Sequence, residues 1–73
     1  MERIKVESSN IESVGYDEEK RILEIEFKGE RIYRYLDVPL GKYKELMLAS
    51  SKGRYFHSSI RNIYSCEREI EGF

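Results

Sequence analysis

Two residue types that hold small folds together are almost missing from this chain. It has one cysteine, Cys66, and one histidine, His57, in 73 residues. One cysteine cannot close an intrachain disulfide, so a disulfide-stapled secreted scaffold is excluded. One cysteine and one histidine cannot compose the usual zinc staple, so no metal and no cofactor is expected. Long apolar runs are missing as well. None approaches the roughly 20 residues that span a bilayer as a helix, and no membrane partner is expected. The opening Met1-Glu2-Arg3-Ile4-Lys5-Val6 alternates charged and apolar residues, unlike the apolar core of a signal peptide. A cytoplasmic protein is expected. There is no internal repeat, low-complexity stretch or linker.

Catalytic groups are scarce too. The serine pairs Ser8-Ser9, Ser50-Ser51 and Ser58-Ser59 invite a nucleophile reading. A serine nucleophile needs a base oriented by a third group, and adjacency of His57 to Ser58 supplies no triad. Caps and turns account for the serines better. Cys66 stands beside Glu67 and Glu69, which disfavour a thiolate. No catalytic residue is expected, and the chain reads as a non-enzyme.

What is present is charge and tyrosine. Charged residues make up 37% of the chain and six of its nine aromatics are tyrosine, yet the net charge is only −1. That sum hides a division. Residues 1–30 carry net −4, residues 31–61 net +5 and residues 62–73 net −2. The local sign decides partner choice more than the total, and the middle is basic. The competing reading is a solvated face that happens to be basic.

Periodicity predicts an α+β domain. Strands are expected over Ile11–Tyr16, Arg21–Phe27 and Arg31–Leu36, with a fourth edge strand at Ile4 and Val6. Leu23, Ile25 and Phe27 share one face, while Glu24 and Glu26 share the other and should be exposed with Arg34. Asp17–Lys20 and Lys28-Gly29-Glu30 are turns, the glycine free to take positive φ. Short connections make a three-stranded, or with the edge strand four-stranded, antiparallel meander. Pro39 opens a helix over Leu40–Ala49 whose Leu40, Tyr43 and Met47 form one stripe, with Leu46 beside them. Ser51-Lys52-Gly53 is expected to end it through glycine. A second helix over Arg54–Ile63 would bury Phe56, Ile60 and Ile63. One or two helices then cover one sheet face.

Ser8-Ser9-Asn10-Ile11, Val14-Gly15-Tyr16-Asp17, and Leu23, Ile25, Phe27 and Gly29 at alternate positions form an ordered set. It continues through Tyr33-Arg34-Tyr35, Val38-Pro39, Ala49, Ser51, Gly53, Tyr55-Phe56 and Ile60-Arg61. Their order and spacing over about residues 6–64 resemble the KTSC domain, the C-terminal domain appended to some lysyl-tRNA synthetases, here free-standing. The resemblance implies a single domain with its core over about 6–64, and the short acidic tail over 65–73 is particular to this chain. The resemblance suggests RNA as a partner, and assigns no activity. His57 departs from the asparagine more often found there.

Two constellations fit a nucleic acid. Tyr33 and Tyr35 either form a base-stacking platform or pack toward the helix as core, and a marginal core favours burial. Tyr55, Phe56, His57 and Arg61 beside Lys52, Gly53 and Arg54 mix rings with cations, with Phe56 expected in the core. The candidate contacts are therefore Arg31, Arg34, Lys42, Lys52, Arg54, Tyr55 and Arg61. The expected function is a small RNA-binding module for tRNA or single strands. The alternative is a protein-interaction module, self-associating as a homodimer.

Overall fold

Alternating strands joined by short turns must pair with their sequence neighbours. In the computed structural model, which describes residues 2–69, they do. The elements are β1 (Arg3–Lys5), β2 (Ile11–Asp17), β3 (Ile22–Phe27), β4 (Arg31–Tyr35), α1 (Leu40–Leu48), α2 (Lys52–Ser59) and β5 (Cys66–Glu69). The strands lie in the sheet in chain order, and each neighbouring pair is antiparallel. The α+β meander and its edge strand are as expected. A fifth strand is added where an acidic tail was expected. It pairs Tyr35 with Cys66 and Ile32 with Glu69. Cys-Glu-Arg-Glu has no apolar alternation to announce a strand; backbone pairing to β4 holds it. The rest of the expected tail, 70–73, lies outside the described residues.

Register fixes which side chains meet. Val14, Ile25 and Tyr33 form one rung and Tyr16, Leu23 and Tyr35 the next. Val14, Leu23, Ile25 and Tyr35 are buried under the helices, joined by Val38, Leu46, Phe56 and Ile60. A bulge between Ile11 and Ser13 places two residues of β2 against one step of β3. It turns Ile11 into the core and leaves Ser13 on the outer face, where its hydroxyl donates to Glu26 Oε1 at 2.7 Å. Tyr43 of α1 stacks on Tyr16 with centroids 4.9 Å apart.

The outer face differs from expectation. Glu24 is only 4% exposed. One rung runs Arg3, Gly15, Glu24, Arg34, Glu67 across the sheet. Gly15 has no side chain, so Arg3 reaches over it to Glu24 Oε2, while Arg34 Nε donates to Oε1 at 3.3 Å. Two guanidinium groups thus cover a carboxylate that alternation alone leaves in water. Glu26 is half-buried.

Three helix expectations also change. Leu46 is fully buried, whereas Leu40 is only half-buried. Gly53 does not end α1. Ser51 caps α2 by accepting from the Arg54 N–H at 3.4 Å, and Gly53 lies inside that helix. α2 ends at Ser59, Asn62 turns the chain at φ 71°, and Ile63 is left 59% exposed.

Candidate nucleic-acid interface

The inner face of β4 extends beyond the helices that cover it, and α2 forms the opposing wall. Between them lies a groove of about 610 Å³. Phe27, Tyr33 and Tyr35 come from the sheet, and Phe56 and His57 from α2. Arg61, Asn62 and Tyr64 follow that helix, and Cys66 opens β5. Arg31 and Asn10 stand at the ends of strands, and Gly53 completes the wall.

Rings build the floor. Phe56 meets Phe27 edge-on at 5.3 Å and Tyr35 at 5.4 Å, and Phe27 meets Tyr33 edge-on at 5.6 Å. Tyr35 is core, as a marginal fold requires. Tyr33 and Tyr64 are half-buried and line the groove. Cations sit with them. The Arg31 guanidinium lies 5.8 Å from the Phe27 centroid. Arg61 Nη1 lies 3.2 Å from His57 Nδ1. Arginine has no acceptor, so Nδ1 accepts and the imidazole proton sits on Nε2. Among the described residues, no carboxylate side chain lines this groove.

A smaller concavity of about 220 Å³ adjoins it. Asn10 and Gly53 belong to both walls. Ser8, Ser9, Ser50, Ser51, Lys52 and Arg54 line the remainder, with Glu7. Lys52 Nζ donates to the Ala49 carbonyl at 3.1 Å.

The seven candidate contacts therefore do not share one surface. Arg31 and Arg61 are in the groove, and Lys52 and Arg54 are in the adjoining concavity. Arg34 points to Glu24 on the opposite face of the sheet, which removes it from this site. Tyr55 packs on the core and its hydroxyl donates to Glu45, so its ring is not a free platform. Lys42 lies on α1 and lines neither concavity. Sequence reasoning missed Asn10, Asn62 and Tyr64. Only the pairing of β5 brings that end of the chain against β4. Among the described residues, no three His, Cys, Asp or Glu side chains gather as metal ligands.

Tyr35 in the groove and Tyr55, on α2 outside it, resist ionisation. Burial, then a hydrogen bond with Cys66, raises Tyr35 well above the ordinary phenol value. Burial, then the bond to Glu45, pushes Tyr55 up to about 12. Folding thus favours the neutral phenol. The associated stability is complete below the unfolded value of about 10 and is lost as pH rises through the folded values. Chemical denaturation followed against pH should show stability falling above about pH 10, and Tyr55→Phe should lessen that fall. An equal fall in Tyr55→Phe would contradict the assignment.

The KTSC domain model matches residues 7–64 of the chain. The chain belongs to the KTSC domain family. An uncharacterized protein of Stutzerimonas stutzeri is 44% identical over 57 residues, which span 78% of this KTSC chain and 80% of that protein. A lysine–tRNA ligase of Nostoc sp. is 38% identical over 65 residues, 89% of this chain and 12% of the ligase. The crystal structure of a KTSC domain protein from Yersinia pestis superposes with TM-score 0.91 at 41% identity. It covers 93% of this chain and 96% of that one. β5 lies past the end of the KTSC match. No helix among the described residues is long and apolar enough to cross a membrane.

Proposed function

We propose that this KTSC domain is a non-enzymatic module of the cytoplasm that binds single-stranded RNA, including unpaired segments of tRNA. The observation that carries the reading is the groove's lining. Half-buried Tyr33 and Tyr64 offer ring surface, Arg31 and Arg61 offer charge, and among the described residues no carboxylate lines the groove to oppose a phosphate. Unpaired bases stack on such rings for about 1–3 kcal/mol each, while guanidinium groups neutralise the backbone. A duplex keeps its bases stacked inside and cannot use the floor. The similarity to a segment of lysine–tRNA ligases, whose name gives tRNA as substrate, points the same way. The exposed large apolar side chains Ile4, Leu48 and Ile63 sit on three separate segments, which gives the protein-interaction alternative less support.

Fluorescence anisotropy with labelled single-stranded RNA at several salt concentrations tests this. Three or four phosphate contacts give a log–log slope of about −2 to −3, at about −0.7 per contact. Replacing Arg31 and Arg61 together with alanine should flatten it by about 1.4, and a duplex of the same sequence should bind more weakly. No saturable binding at low salt would sink the reading, and the protein-interaction alternative would replace it.

A further inference from the structure

We propose that Gly53 is the point where a bound strand crosses from the groove into the adjoining concavity, an inference that rests on the RNA reading above. Gly53 and Asn10 are the residues common to both walls, so they form the saddle between them. The fold gives no reason for glycine there. The residue is helical, and the positive-φ glycine of the described chain is Gly29. Packing does not exclude a side chain either. A Cβ at position 53 would meet Ser8 Oγ at 3.8 Å and Asn10 Nδ2 at 3.9 Å, both ordinary contacts. Gly53 lies in the first turn of α2, where alanine is still the better helix former, by less than in a helix interior. The chain thus accepts a local loss of stability at one of the two positions that form the saddle between the concavities.

The chemistry on either side suits successive nucleotides. A base fits the ring-lined groove beside Arg31 and Arg61, and the sugar–phosphate link passes over the bare backbone at Gly53. The next phosphate then comes within reach of Lys52 and Arg54. Among the described residues, Glu7 is the one carboxylate lining the two concavities. It lies on the smaller side, so binding there should gain when Glu7 is neutralised.

The test compares wild type with Gly53→Ala and Gly53→Leu. One probe is a labelled oligouridylate read by anisotropy; the other is uridine monophosphate read by amide chemical shifts. Gly53→Ala should raise Tm by about 3 °C, because alanine favours the helix, and yet bind the oligonucleotide more weakly. Gly53→Leu should weaken the oligonucleotide by about tenfold, the loss of one charge-assisted contact. Both variants should lose less affinity for the mononucleotide than for the oligonucleotide, since the mononucleotide occupies the groove and does not cross into the second concavity. If both variants are stable and bind the oligonucleotide unchanged, the crossing point is wrong while the RNA reading survives. If Gly53→Leu fails to fold, unchanged or tighter binding by Gly53→Ala overturns the inference. If wild type binds no oligonucleotide, the RNA reading fails and the crossing fails with it.

Discussion

Phe56→Ala is expected to destabilise the domain by about 3–5 kcal/mol, the cost of emptying a buried aromatic site. Phe56 is 6% exposed and touches both Phe27 and Tyr35 edge-on. Such ring pairs contribute about 0.5–1.5 kcal/mol each beyond burial. The ring also pins α2 to the sheet and floors the groove, so no neighbour can fill the gap without moving a wall. At roughly 0.05–0.15 kcal/mol per residue, a chain this long holds only about 4–11 kcal/mol in all. The variant should therefore be substantially unfolded or easily denatured. Phe56→Leu keeps most of the volume and should cost far less, about 1.5 kcal/mol. Urea denaturation followed by circular dichroism separates the two. Equal stability of Phe56→Ala and wild type would show that α2 is not held through this ring.

Glu24→Ala is expected to cost about 2–3 kcal/mol, below the range for fully buried pairs because both its partners reach water. The carboxylate is nearly inaccessible, whereas the Arg3 and Arg34 side chains are 28% and 37% exposed. Removing it takes away the carboxylate shared by two guanidinium groups on the outer face, and leaves Arg3 the longer contact with Glu26 Oε1 at 3.7 Å. Removing either arginine leaves the other to compensate the buried charge. Arg3→Ala and Arg34→Ala should each cost less than Glu24→Ala, and Glu24→Ala should loosen β1, whose three residues are otherwise exposed. Amide exchange of β1 together with denaturation curves checks both points. A larger loss from Arg34→Ala than from Glu24→Ala would mean that the central charge is not the one being compensated. RNA affinity should be unchanged in all three variants, since this face lies opposite the groove.

Much of the fold was legible because local and global preferences agree. The alternation through Leu23, Ile25 and Phe27 defines the inner face, and the stripe of α1 and Phe56 of α2 have nowhere else to pack. The misreadings arise where tertiary structure overrides local pattern. Residues 66–69 gain a strand from β4's unpaired edge and not from their own sequence. Glu24 is covered by an arginine 21 residues away. In the site, the basic character of Arg31 and Arg61 was visible, but their meeting across the groove requires α2 to fold back over β4. Arg34 is a different lesson. Its position beside Tyr33 already placed it on the outer face by period two, so alternation separated it from the tyrosines that share the groove.

Amide chemical-shift mapping during titration with a short single-stranded RNA tests the central claim most directly. Saturable shifts are expected at Arg31, Tyr33, His57, Arg61 and Tyr64, extending across Gly53 to Lys52 and Arg54. The outer rung of Arg3, Gly15, Glu24 and Arg34 should stay unchanged. Shifts confined to that outer rung, or no saturable shifts at low salt, would contradict it.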